Sequence, residues 1–199
     1  MPTPTSTGQV FATAETGNLV LLGINLSQGK LDRVVYYLLP ILSFAAGVLV
    51  TELLRRRLGP NAGHLHWRQP VLLTECLVLV LVSLLPVGPL DPLANMLISF
   101  TSAIQIESFR QFQGCGCATT MCTGNLRSGT EHLFRHFTSP GSQSASKAAL
   151  YYGLILSFVC GAVISGLASP ILGGRAVLCA CVPLLGAFLL MFREESQLM

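Results

Sequence analysis

Hydrophobic positions in this chain gather into long unbroken runs instead of alternating with polar ones, and the runs carry almost no charge. A helix needs about 20 residues to cross a hydrocarbon core of ~30 Å. Five runs reach or approach that length: Val34 to Leu54, Val71 to Leu90, Pro92 to Phe109, Ala148 to Pro170 and Ala176 to Phe192. Barrel strands would show a period of two, so the continuous runs predict helices. A water-soluble globule of this length buries only about two such helices. The fold class expected is an all-α membrane protein with about five transmembrane helices, organised as a single membrane domain over residues 1–199.

Comparing the chain with itself divides that domain. Phe11-Ala-Thr-Ala-Glu-Thr-Gly-Asn-Leu19 recurs as Cys117-Ala-Thr-Thr-Met-Cys-Thr-Gly-Asn-Leu126, with one extra residue before the shared Thr-Gly-Asn-Leu. Ile41-Leu-Ser-Phe-Ala-Ala-Gly47 recurs in the same order as Ile155-Leu-Ser-Phe-Val-Cys-Gly161. The halves are residues 8–90 and 91–193. Each reads as a three-span unit with a special segment after its first span, and the first half lacks its opening span. An odd number of spans turns the second copy over in the membrane, giving inverted repeats.

Charge distribution gives the orientation. With the loop Arg55 to Gln69 cytoplasmic, Arg55, Arg56, Arg57, Arg68, Arg110, Arg127, Arg135, Lys147 and Arg193 lie inside, and Lys30, Arg33 and Arg175 lie outside. That excess follows the positive-inside rule. Among all 199 residues only 12 are Lys or Arg and 9 are Asp or Glu, too few for a typical soluble domain. Of the seven cysteines, Cys76, Cys160, Cys179 and Cys181 fall inside predicted spans, where they act as small packing residues. Met1 to Thr7 has neither a basic nor an apolar region of the signal-peptide kind, so no cleavable leader is expected there.

Gly153, Ser157, Gly161, Ser165 and Ser169 recur every four residues and form one helix face of small side chains, repeated in the first half by Ser43, Gly47 and Thr51. Both faces are read as contacts between the halves, with a homodimer as the alternative. The stretch Gly114 to Leu126 is uncharged, rich in Gly and Thr, and too short as helix (~20 Å) to cross. It is expected to be a re-entrant or broken segment whose free backbone groups can hold a small ligand; an ordinary loop with a Gly turn is the alternative.

The stretches FATAETGNLVLLGINLSQG (Phe11 to Gly29) and SFTSAIQIESFRQFQGCGCATTMCTGNLRSGTE (Ser99 to Glu131) resemble the YoaK family of bacterial membrane proteins, and the resemblance runs from about Gly8 to Arg193. That family carries a Thr-Gly-Asn motif after its first span, and a Gln-containing span leading into a Thr-Thr-x-x-Thr-Gly block. The resemblance places Thr16, Gly17, Asn18, Gln105, Arg110, Thr119, Thr120, Thr123 and Gly124 at signature positions. It implies location in the bacterial cytoplasmic membrane. Ile106 stands where the family often has Asn, and only Met1 to Gln9 stands where it has a first span.

The candidate substrate-binding residues are therefore Glu15, Thr16, Gly17, Asn18, Gln105, Thr119, Thr120, Thr123, Gly124 and Asn125. Glu15 is an ionisable group beside the first motif and a candidate for proton coupling. Glu107 and Arg110, three apart at the end of a span, read as an ion pair or a coupling pair. Glu75 reads as a structural residue reaching the cytoplasmic face beside Arg68. His132 and His136 share a helix face but lack zinc-site spacing with a further ligand, so no metal is expected. They lie in an amphipathic helix, Leu126 to Phe137, expected to turn Leu126, Leu133, Phe134 and Phe137 inward with Arg127, Glu131 and Arg135 among the lipid headgroups.

No nucleophile is paired with a His and an acid, and no zinc-protease or phosphate-cradling motif is present. Enzymatic activity and a cofactor are not expected. The expected partners are the lipid bilayer and a small solute, with no nucleic acid. The function expected is a small-solute transporter or carrier with its site between the two Thr-Gly-Asn segments; a membrane scaffold or assembly protein is the alternative.

Overall fold

The computed structural model describes residues 15–58, 68–86, 88–112, 115–116, 121–139 and 143–197. They form helices α1 (Glu15–Ser27), α2 (Leu31–Leu58), α3 (Arg68–Leu84), α4 (Asp91–Ser108), α5 (Cys122–Thr138), α6 (Ser144–Leu172) and α7 (Cys181–Gln197). A 3-10 segment, Gly173–Ala180, joins α6 to α7. The only strands among these residues form a two-residue antiparallel pair, Gln111–Phe112 with Cys115–Gly116. The chain is all-α, and every apolar run of the sequence lies within or overlaps a helix.

Two helical stretches are long and apolar enough to cross a membrane, Leu31–Arg57 and Ser144–Met191, and Pro70–Leu84 is a shorter apolar helix. The second stretch runs for 48 residues through α6, the 3-10 segment and into α7. Pro40 in α2 and Pro170 in α6 remove a backbone donor within their helices, a substitution that helices in apolar surroundings tolerate.

Burial is inverted relative to a water-soluble fold. Asn18, Thr51, Glu75, Ser99, Thr101, Ser102, Ser108, Asn125 and Ser144 are buried, whereas large apolar side chains on α2, α3, α6 and α7 lie exposed, among them Leu49, Leu77, Leu167 and Leu189. In water an apolar surface of that extent would drive association. Against lipid tails it carries no such penalty, and the distribution fits a chain whose solvent is hydrocarbon.

Local chemistry explains how the chain turns. After α1, Gly29 adopts φ 68°, the Lys30 N–H donates to the Asn25 carbonyl and the Gly29 N–H to the Leu26 carbonyl. This paired closure of the last helical carbonyls needs a residue free to enter the left-handed region. It sends the chain straight into α2, against which α1 packs.

The central pairing is α2 with α4. Ser43 Oγ donates to the Met96 carbonyl at 2.8 Å, a separation of 53 residues. Gly47 meets Phe100 at the same offset, so close that an added Cβ would lie 2.6 Å from the Phe100 carbonyl oxygen. A constant offset means the two helices run parallel; α3, which connects them along the chain, packs on α4. The first small-residue face is thus a contact between the halves, because only hydrogen at position 47 admits the facing backbone.

The second small-residue face differs. Gly153, Ser157, Gly161, Ser165 and Ser169 are all exposed, and nothing lies within 4 Å of a Cβ added at Gly153 or Gly161. Helix α6 packs on α5 and on the 3-10 segment instead. The expectation that this face also joins the halves is corrected within the single chain: α4 covers α2, and no comparable helix among the described residues covers α6 along these positions.

Candidate functional site

Both Thr-Gly-Asn-Leu copies occupy the first turns of a helix, α1 and α5, so where a broken segment was expected the motif itself is continuous helix. The two copies adopt one pose. Asn18 is fully buried and Asn125 is 4% exposed, while Thr16, Thr123, Leu19 and Leu126 face outward. Helical geometry separates neighbours by about 100°, so the Asn turns inward where the adjoining Leu cannot. Gly17 is half-buried, and Gly124 is exposed with open space around it.

The first motif builds a polar cluster with α4. Glu15 Oε2 accepts from Asn18 Nδ2 at 2.9 Å, and Glu15 Oε1 accepts from Ser99 Oγ at 2.9 Å. Each carboxylate oxygen therefore has a donor, and the bond to Ser99 ties the two halves across 84 residues. Ser99 is the fully buried start of a polar face on α4 that continues through Ser102. Nearby, Asn95 Nδ2 approaches the Tyr36 hydroxyl at 3.4 Å. The role of Ser99 was not read from the sequence; only the alignment of an apolar run's hydroxyls on one face could have pointed to it.

At the far end of the same seam, Glu107 meets Arg110 at 3.3 Å and Arg55 of α2 at 3.5 Å. These are ion-pair rather than hydrogen-bond contacts, and Arg55 also pairs with Glu52 on its own helix. The Glu107 and Arg110 pair read from the sequence is present, and Arg55 extends it into a link between the halves. Gln105 is half-exposed on α4.

The second motif is built differently. Asn125 and Gly129 lie on the buried side of α5, where a Cβ added at Gly129 would sit 3.1 Å from the Tyr151 Cβ of α6. His132 stacks on Tyr151, the ring centroids 5.9 Å apart, and the Tyr151 hydroxyl donates to the Gly116 carbonyl at 2.9 Å. His132 Nδ1 is buried with no hydrogen-bond partner among the described residues. Leu126, Leu133, Phe134 and Phe137 are exposed, Phe134 by 67%. The small and polar side of α5 meets α6, and the apolar side is left for the surroundings, as an interfacial helix allows.

Thr119 and Thr120 lie outside the described residues. Helices α1 and α5 do not pack as a pair; α1 lies on α2 and α5 on α6. No group of three or more His, Cys, Asp or Glu side chains is placed to hold a metal among the described residues.

The sequence reading placed Glu75 at the helix end beside Arg68, yet the structure buries it at the middle of α3 with 2% exposure. Its Oε1 has no hydrogen-bond partner among the described residues.

An all-helical chain with an apolar exterior, stretches long enough to cross a membrane and a buried polar seam defines the class to which this protein belongs. Within that class, the chain belongs to a family described as proteins of unknown function, DUF1275, whose model matches residues 4–190. The family includes YoaK-like proteins, in agreement with the resemblance carried by the motifs. No curated protein and no solved structure matches the chain.

Proposed function

We propose that the chain is a multi-pass integral protein of the bacterial cytoplasmic membrane that carries a small polar solute. The observation behind this reading is the Glu15, Asn18 and Ser99 cluster, a hydrogen-bonded carboxylate held between the halves of a protein whose exterior is apolar. Polar groups at membrane depth are costly and mark solute or ion paths. The recurring pose of Asn18 and Asn125 supports two related half-sites, and the parallel α2 and α4 support the alternation of spans that inverted repeats require. In this reading α2, α3, α4, α6 and α7 are the five spans, and Asn18 and Asn125 each offer hydrogen bonds to the solute in separate half-sites.

Uptake of radiolabelled amino acids, polyols and small inorganic anions into proteoliposomes is the test. Transport of at least one, lost in both Asn18→Leu and Asn125→Leu, is the expected result. Flux unaffected by Asn125→Leu would sink the reading.

A second reading, a membrane scaffold or assembly protein, draws on the uncovered small-residue face of α6. Recovery of a fixed complex in mild detergent, with no flux of any solute, would favour it.

A further inference from the structure

We propose that Glu75 is a proton-binding site inside the helix packing of α3, and that it rather than Glu15 is the residue through which the carrier takes up a proton; the second clause rests on the transport reading above. Along α3, Val71, Leu72, Glu75 and Leu79 are the buried positions, spaced three and four apart. They form one inner face on which Glu75 is the sole polar group. That face is covered by α4, the 3-10 segment and α7.

The titratable groups of these elements do not neutralise it. Cys76 adjoins it on α3, and Cys181 of α7 lies with its Sγ 4.0 Å from the Cys76 carbonyl, both of them free thiols. In the 3-10 segment Cys179 is half-buried and Arg175 is exposed. Asp91 opens α4 and accepts from the Gly88 N–H, while Glu107 at the other end is engaged with Arg55 and Arg110. Arg193, Glu194 and Glu195 lie toward the distal end of α7. Among the described side chains no Lys or Arg pairs with Glu75.

A carboxylate so placed is shut off from bulk solvent and has no cation beside it among the described side chains, and binding a proton removes its charge altogether. A metal cation would need several oxygen ligands, which an inner face of Val and Leu does not supply. A proton needs only the carboxylate. Glu15 contrasts with it: both its oxygens already accept hydrogen bonds, from Asn18 and Ser99, so it reads as a fixed structural acceptor. The event is simple in balance: one carboxylate oxygen accepts one proton to give the neutral acid, and releases it when α3 opens toward an aqueous face.

Dicyclohexylcarbodiimide couples to protonated carboxyls in apolar surroundings and serves as the probe. The full chain, reconstituted in phosphatidylethanolamine and phosphatidylglycerol vesicles, is labelled over a pH series, and the modified peptides are mapped by mass spectrometry. Label at Glu75 that declines as pH rises, no label at Glu15, and loss of that label in Glu75→Gln with helical circular dichroism intact are expected. Absence of label at Glu75 at every pH overturns the proposal. Protection by sodium or potassium chloride at fixed pH, with choline chloride without effect, also overturns it, by making the site one for a metal cation.

The coupling role is tested separately with trapped pyranine, which reports proton movement on adding a transported solute. Wild type should move protons, and Glu75→Gln should carry solute without them. Proton movement retained in Glu75→Gln overturns the coupling role. Vesicles in which no solute moves at all refute the transport reading, while the labelling result still decides the proton site.

Discussion

Gly47 and Gly161 hold matching places in the two Ile-Leu-Ser-Phe blocks, yet they meet different surroundings. A Cβ at position 47 would fall 2.6 Å from the Phe100 carbonyl oxygen and 2.8 Å from the Ala103 Cβ, whereas nothing lies within 4 Å of one at position 161. Gly47→Ala is therefore expected to destabilise the protein by ~1–3 kcal/mol, as overpacking does. Gly161→Ala in the monomer is expected to stay within about 0.5 kcal/mol. Thermal unfolding in detergent micelles, followed by circular dichroism, compares the two. Asn18→Leu removes the donor to Glu15 Oε2 and is expected to cost ~1–3 kcal/mol on the same scale, since a part-buried acceptor loses its partner and the buried Asn amide is removed. The paired motif marked Asn18 and Asn125 in the sequence, because identical residues recurred at matching places. The burial of Glu75 was not legible: its distance from Arg68 along the chain is plain, but the face of α3 that meets α4 and α7 is decided by tertiary packing.

Among the elements, α2 and α4 make the seam that organises the molecule, and its charged end separates two kinds of contact. Arg110 pairs with Glu107 within one local segment and is more than half exposed, so Arg110→Ala should cost less than about 1 kcal/mol. Arg55→Ala, which breaks the link from α2 to α4, should cost more than Arg110→Ala in the same unfolding assay, and the double variant should show coupling. Helix α5 gives an element-level test of surroundings. Phe134→Trp should be quenched by brominated lipids and His132→Trp should be protected, because Phe134 is exposed and His132 lies against Tyr151. The amphipathic period of α5 was readable from Leu126, Leu133, Phe134 and Phe137, but not which helix its small and polar side would meet. A periodic stripe says which residues share a face; whether that face meets protein or lipid depends on the solvent and on Gly129 finding Tyr151. The helices themselves were legible because uncharged runs of this length have few other uses. The 3-10 segment Gly173–Ala180 begins in the gap between two such runs and takes in the start of the second, so its apolar end was not separable in the sequence from the helix that follows.

For the molecule as a whole, two short blocks recur in the sequence, whereas the contacts that join residues 8–90 to residues 91–193 were not legible there. Substituted cysteines at positions 30 and 135 should react with a membrane-impermeant maleimide from opposite sides of the membrane; reaction from one side would overturn the topology. The halves of the sequence are not separate bodies. Helix α4 belongs to the second half but lies on α2, and α7 of the second half lies on α3 of the first. Residues 1–90 expressed alone should consequently be degraded or protease-sensitive, and co-expression with residues 91–199 should restore protection. The bond from Ser99 to Glu15 also imposes an order in time. Its partners stand 84 residues apart, and a ribosome adding ~5–20 residues per second needs roughly 4–17 s to deliver the second after the first. During that interval the nascent α1 carries a carboxylate oxygen whose Ser99 donor is not yet made, so the pace of synthesis becomes part of how this protein reaches its fold.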